Sequence, residues 1–124
     1  MYVRRILSGL VLIGLTAGWA LSEGQPPNTL TDKEIKAGWK LLFDGKTTTG
    51  WRGAKLDKFP EFGWTVENGE LIVLESGGGE SRHGGDIVTI EQYDNFELSV
   101  EFKLTPGANS GIKYMVFNVD PNRP

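Results

Sequence analysis

Three side chains in the second half of the sequence stand out as candidates for proton transfer. Glu101 lies in the run 96–104, where apolar and polar residues alternate, so its carboxylate points away from the apolar face. Asp86 follows two glycines, whose missing side chains let a ligand or a neighbouring backbone come close. His83 is the only histidine, and imidazole titrates near neutral pH and binds divalent metals. We therefore predict acid–base roles for these three residues and leave a divalent metal ion open as a cofactor.

Each candidate also has a purely structural interpretation. Glu101 could be a solvated strand residue, Asp86 a turn-capping aspartate and His83 a surface side chain of a glycine-rich loop. A retaining-glycosidase pair is excluded for Glu97 and Glu101. These two are four residues apart on one strand face, about 13 Å at a rise of about 3.3 Å per residue, whereas such a pair needs about 5–5.5 Å.

The elements that would position these side chains are mostly strands. Asn68-Gly69 separates two apolar runs, 64–67 and 70–74, and predicts a hairpin with a type I′ turn. Further strands are predicted over 39–43, 86–90, 96–104 and 111–117. No helical pattern longer than two turns follows residue 37, so the fold class is all-β.

One short helix precedes the strands. Thr31 and Glu34 have the spacing of a capping box, and Gly38 is expected to end the helix about two turns later. We assign 23–37 to a lead-in segment and this helix.

The first 22 residues have the order of a secretory signal peptide. Arg4 and Arg5 precede an apolar run, and small residues at Ala20 and Ser22 offer cleavage sites. An uncleaved membrane anchor is the alternative, although the apolar stretch is shorter than the roughly 20 residues that span a bilayer. We expect export to the periplasm or the medium, with no stable membrane partner after cleavage.

Composition excludes several functional classes. The net charge is −3 and no basic run is present, so nothing predicts nucleic-acid binding. The chain contains no cysteine, which excludes disulfides, thiolate metal sites and a cysteine nucleophile. With 124 residues and about six predicted strands, it is short for a sandwich of roughly 200–250 residues. We interpret 38–124 as the N-terminal half of such a domain, truncated.

Five blocks in the second part of the chain resemble the 3-keto-disaccharide hydrolase family, which has a concanavalin A-like jelly-roll fold. They occur in the family's order at 38–51, 64–71, 84–89, 96–103 and 106–112. The resemblance implies cleavage of a glycoside that is already a ketone at C3. Such a ketone acidifies the C2 hydrogen, and the resulting enolate expels the leaving group at C1. The reaction asks for a base at C2, an electrophile at the ketone oxygen and an acid at the leaving oxygen.

The same resemblance implies a carbohydrate substrate and suggests which residues contact it. Asn109 and Ser110 could hydrogen-bond sugar hydroxyls, while Trp51 and Tyr114 could stack on a pyranose ring. Lys113 is a further substrate-binding candidate. It stands where family members more often have a bulky apolar or aromatic residue, so the identity of the sugar stays open, and so does the oligomeric state. A non-catalytic, lectin-like glycan-binding module is the alternative function, because one fold hosts both. A pseudo-enzyme fragment is a weaker third interpretation.

Overall fold

The structure is a computed structural model that describes residues 1–5, 25–75 and 85–116. These contain one helix and seven short strands. The elements are β1 (Tyr2–Arg5), α1 (Asp32–Lys36), β2 (Trp39–Leu41), β3 (Trp51–Gly53), β4 (Trp64–Glu67), β5 (Glu70–Val73), β6 (Ile87–Thr89) and β7 (Phe96–Ser99). The regular elements of the described part are therefore strands apart from one short helix, as the sequence predicts for an all-β protein.

The strands pair antiparallel in three small sheets. One sheet has the order β2-β1-β7, a second joins β3 to β6, and a third joins β4 to β5. In the second sheet Trp51 pairs with Thr89 and Gly53 with Ile87, and the ladder continues where the Ile90 amide donates to the Gly50 carbonyl at 2.8 Å. This pairing places the start of β6 beside the end of β3.

The predicted hairpin is confirmed. Glu67 pairs with Glu70 around a two-residue turn, in which Asn68 has φ 50° and Gly69 has φ 79°. Both angles are positive, as a type I′ turn requires. The side-chain amide of Asn28 donates to the Gly69 carbonyl at 2.8 Å and so fastens the lead-in segment to this turn.

The capping box of α1 is also confirmed. The Glu34 amide donates to the Thr31 hydroxyl at 3.2 Å, and the Thr31 amide donates to the Glu34 carboxylate at 2.7 Å. The backbone hydrogen bond from Thr31 is the main cause that lowers the pKa of Glu34 below its ordinary value. Gly38, with φ 85°, follows the C-cap and donates to the Ile35 carbonyl, so the helix ends where the sequence indicates.

The amino terminus contributes a strand that was predicted as part of a signal peptide. Tyr2–Arg5 forms β1, the central strand between β2 and β7. The apolar run and the cleavage sites lie outside the described residues, so the signal peptide stays a prediction. Within the described ranges, no helix has the length and apolar character needed to cross a membrane.

Two predicted strands differ from the structure. β7 ends at Ser99, so the alternating run continues to residue 104 without a ladder, and residues 111–116 form no strand. Both stretches are exposed and pair with no described strand. Met115, with φ 55°, also breaks the extended conformation of the second stretch. Alternation indicates a two-faced strand, but a ladder also needs a neighbour.

The hydrophobic core of the described part is small. Phe43 is the one hydrophobic side chain among the described residues that is buried, at 7% exposure. Hydrogen bonds between elements therefore carry much of the organisation. For example, the Trp51 indole donates to the Leu42 carbonyl at 2.6 Å and links β3 to the end of β2.

Candidate functional site

Asp86 immediately precedes β6 and meets Lys113, a residue 27 positions further along the chain. The Lys113 ammonium donates to a carboxylate oxygen of Asp86 at 2.5 Å. The Lys113 side chain is 72% exposed and that of Asp86 61% exposed. The structure thus brings together a predicted acid–base residue and a predicted substrate-binding residue, and solvent reaches both.

The backbone at Asp86 is held from two sides. The Ala54 amide donates to the Asp86 carbonyl at 2.8 Å, and the Trp64 indole donates to the Gly85 carbonyl at 3.1 Å. Two donors therefore hold the peptide before β6, one from the loop after β3 and one from β4.

The loop after β3 has its own support. The Arg52 guanidinium donates to the carbonyls of Gly53 at 3.0 Å and Ala54 at 3.1 Å. Gly53 is buried, and a side chain there would meet Leu56 at 2.9 Å, so glycine is needed for this close approach. The loop is thereby held in the position from which the Ala54 amide reaches Asp86.

Glu101 lies two residues beyond the end of β7 and is exposed. Burial lowers the pKa of the Met1 α-amino group below its ordinary value, while the negative charge of Glu101 acts to raise this pKa. Among the described residues, the structure therefore relates Asp86 to Lys113 and Glu101 to the amino terminus.

The other predicted ligand-contacting residues fall into two groups. Asn109, Ser110 and Tyr114 are exposed, and Tyr114 has 70% exposure. Asn109 and Ser110 follow a turn in which Gly107 has φ 81°. Trp51 is half-buried, and its indole N–H donates to the Leu42 carbonyl. This hydrogen bond links two strands and so stabilises the fold. Sugar contacts by these residues stay predictions.

No metal centre is seen in the described part of the chain. Within residues 1–5, 25–75 and 85–116, no group of three His, Cys, Asp or Glu side chains could hold a metal ion. His83, the predicted imidazole candidate, lies outside the described residues.

A pocket of about 270 Å³ lies away from Asp86, between the end of β2 and the end of β6. Lys40 and Glu91 form an ion pair at its wall at 2.8 Å, and the Tyr93 hydroxyl donates to Glu91 at 3.1 Å. None of the predicted site residues lines this pocket. Sequence reasoning did not single out these residues, since their separation of 51 positions gives no local signal.

Fold and site together define an all-β protein with an exposed ion pair, Lys113–Asp86, beside a short sheet. Hydrogen bonds hold the backbone at Asp86. Comparison with known proteins identifies the family. The family described as "3-keto-alpha-glucoside-1,2-lyase-like domain" matches residues 38–123. The chain belongs to this family, which confirms the resemblance read from the sequence.

A curated relative supports the same assignment. The chain is 44% identical over 84 residues to a protein of Bacteroides thetaiotaomicron named 3-keto-disaccharide hydrolase. The match covers 66% of this chain and 29% of the relative. The chain therefore spans less than a third of the length of the curated relative it matches.

Proposed function

We propose that this chain is part of a carbohydrate-active enzyme that cleaves 3-keto-disaccharides or other 3-keto-glycosides. Family membership and the named relative support the substrate class. The observation that carries the proposal is the contact between Lys113 and Asp86, because it places an ammonium group beside a carboxylate at an exposed site.

The reaction assigns a role to each charged group. A base removes the C2 proton, the C2–H electrons form the enolate, and the C1–O bond then breaks with expulsion of the leaving group. We assign the base to Glu101. Addition of water at C1 with return of a proton at C2 completes a net hydrolysis. A positioned acid or base typically contributes about 10²–10⁴-fold to such a step.

Lys113 supplies the positive charge that the enolate needs. Negative charge develops at the C3 oxygen when the C2 proton leaves, and a preorganised ammonium stabilises it. Asp86 holds this ammonium in place through their ion pair, and the leaving oxygen takes its proton from the solvent water that reaches this exposed site. Asn109 and Ser110 follow the turn just before Lys113 in the chain and would hydrogen-bond sugar hydroxyls.

The proposal extends to architecture and location. The strands described here would form part of a concanavalin A-like jelly-roll sandwich. Residues 1–22 would direct export and then be removed, so the enzyme would act in the periplasm or outside the cell. A divalent metal ion would polarise the same ketone oxygen. Loss of activity in EDTA that added Mg²⁺ or Ca²⁺ restores would show that one takes part.

The test compares Glu101→Gln with a matched control in the full-length protein. Glu97→Gln removes the same charge two strand repeats earlier, from the same side of the 96–104 run. We expect Glu101→Gln to lower cleavage of a 3-keto-disaccharide by at least about 10²-fold, and Glu97→Gln to leave it near wild type. The unoxidised disaccharide should be inert with all three proteins, because its C2 hydrogen has no adjacent ketone.

Two results would contradict this proposal. Wild-type turnover by Glu101→Gln would reduce Glu101 to a solvated residue. A wild-type protein that cleaves neither sugar but binds unoxidised glycans would instead be a lectin-like module.

A further inference from the structure

We infer that Trp64 is a positioning residue for Asp86, which it holds through the carbonyl of Gly85. Trp64 opens β4, and its indole N–H donates to this carbonyl at 3.1 Å across 21 residues of chain. The inference rests on the proposed function, since it concerns the site at which Asp86 and Lys113 meet. Nothing in the sequence pattern singles out Trp64 for such a role.

The geometry shows why one hydrogen bond matters here. Gly85 has φ 58°, and among the described residues no heavy atom other than those of its chain neighbours lies within 4 Å of the place a Cβ would occupy, so close packing by these residues does not fix Gly85. Glycine loses more conformational freedom on folding than any other residue. The Trp64 indole supplies an external restraint at this point.

The second restraint acts one residue later and from another sheet. The Ala54 amide holds the Asp86 carbonyl at 2.8 Å, at the end of the β3–β6 ladder. With the Gly85 and Asp86 carbonyls both fixed, the backbone orientation that directs the carboxylate towards Lys113 is fixed as well. Loss of the Trp64 hydrogen bond frees the Gly85 carbonyl, while the hydrogen bond from the Ala54 amide to the Asp86 carbonyl remains.

The size of the effect follows from the sensitivity of catalysis to position. A displacement of about 1 Å can cost about 10²-fold in rate. Because the Ala54 bond remains, we expect Trp64→Phe to lower kcat about 10-fold with little change in KM. In an Asp86→Asn background, Trp64→Phe should have no further effect, because a positioning residue acts through the group it positions.

The experiment uses the full-length protein with three tryptophan variants. Trp64→Phe removes the N–H donor, and a benzothiophene analogue at position 64 removes it while keeping the bicyclic shape. Trp39→Phe makes the same chemical change on β2, in a different sheet. Activity is measured for each variant, together with hydrogen exchange of the Ala54 amide and the ¹³C chemical shift of the Asp86 carboxylate.

The expected pattern is faster exchange at Ala54 and a changed carboxylate chemical shift of Asp86 in both position-64 variants, with neither in Trp39→Phe. Equal changes in Trp39→Phe, or a loss of kcat that persists undiminished in the Asp86→Asn background, would overturn the inference. If the wild type cleaves no 3-keto-disaccharide, the proposed function fails. The exchange and chemical-shift results still decide the role of Trp64.

Discussion

Replacement of Lys113 by methionine should separate catalysis from stability in this protein. Methionine keeps the length of the side chain and removes the ammonium. The Lys113–Asp86 pair is 72% and 61% exposed, and pairs in this setting contribute about 0.2–1 kcal/mol to the free energy of unfolding. Loss of one oxyanion donor costs about 10²–10³-fold in kcat in a water-excluded site, and at this solvent-exposed position we expect the lower end, about 10²-fold. Lys113→Met should therefore lower activity far more than stability.

Lys58 provides a matched control. It forms an exposed ion pair with Glu61, with side-chain exposures of 72% and 62%, and it is not a predicted site residue. Lys58→Met should change stability as little as Lys113→Met and leave activity near wild type. The assay is turnover of a 3-keto-disaccharide beside a urea unfolding curve, both on the full-length protein.

The reasoning fails in either of two cases. Equal activity of Lys113→Met and Lys58→Met would make the Asp86 pair an ordinary surface ion pair. A loss of stability in Lys113→Met of several kcal/mol would show that the fall in activity reports unfolding. Combination with Asp86→Asn then apportions the effect, since residues that act as a unit give a non-additive double mutant.

Three further predictions concern pH, export and the stability of a fragment. Hydrogen bonding to Thr31 lowers the pKa of Glu34 in the folded state. The stability that this hydrogen bond contributes is therefore present above the unfolded pKa near 4.5 and is lost as the pH falls through the folded pKa. The NMR signal of the Thr31 amide should shift as the bond breaks below this range, and an unchanged signal at low pH would contradict the prediction. Exported protein should begin at Leu21 or Glu23 on N-terminal sequencing. Residues 23–124 alone should aggregate, because they span less than a third of the length of the curated relative and leave sheet edges unpaired; a sharp reversible melt of that fragment would contradict this.

The features that the sequence predicted well are those with local causes. The turn at Asn68 needs only positive φ at two neighbouring residues, and the capping box joins residues three positions apart. Each signal is complete within a few residues, so no distant partner can overrule it. Family membership is a similar case, because short motifs in the right order were enough.

The features that the sequence missed depend on distant pairing. The strand β3 is three residues long and forms only because β6 lies beside it. Conversely, the run beyond Ser99 alternates well but has no described strand next to it, so it forms no ladder. The contact of Lys113 with Asp86 spans 27 residues, and no spacing rule links two such positions. Residue type made each a candidate, while only the structure could pair them.

The arrangement around Asp86 also explains how a chain with so small a core can hold a defined site. Hydrophobic burial in the described residues is concentrated at Phe43. At Asp86, by contrast, backbone and indole donors from two sheets fix the peptide on both sides. Such bonds contribute only about 0.5–1.5 kcal/mol each to stability, but they are directional, and direction is what a reacting group requires. The carboxylate and its ammonium partner can therefore stay exposed to substrate while the peptide that carries the carboxylate remains fixed.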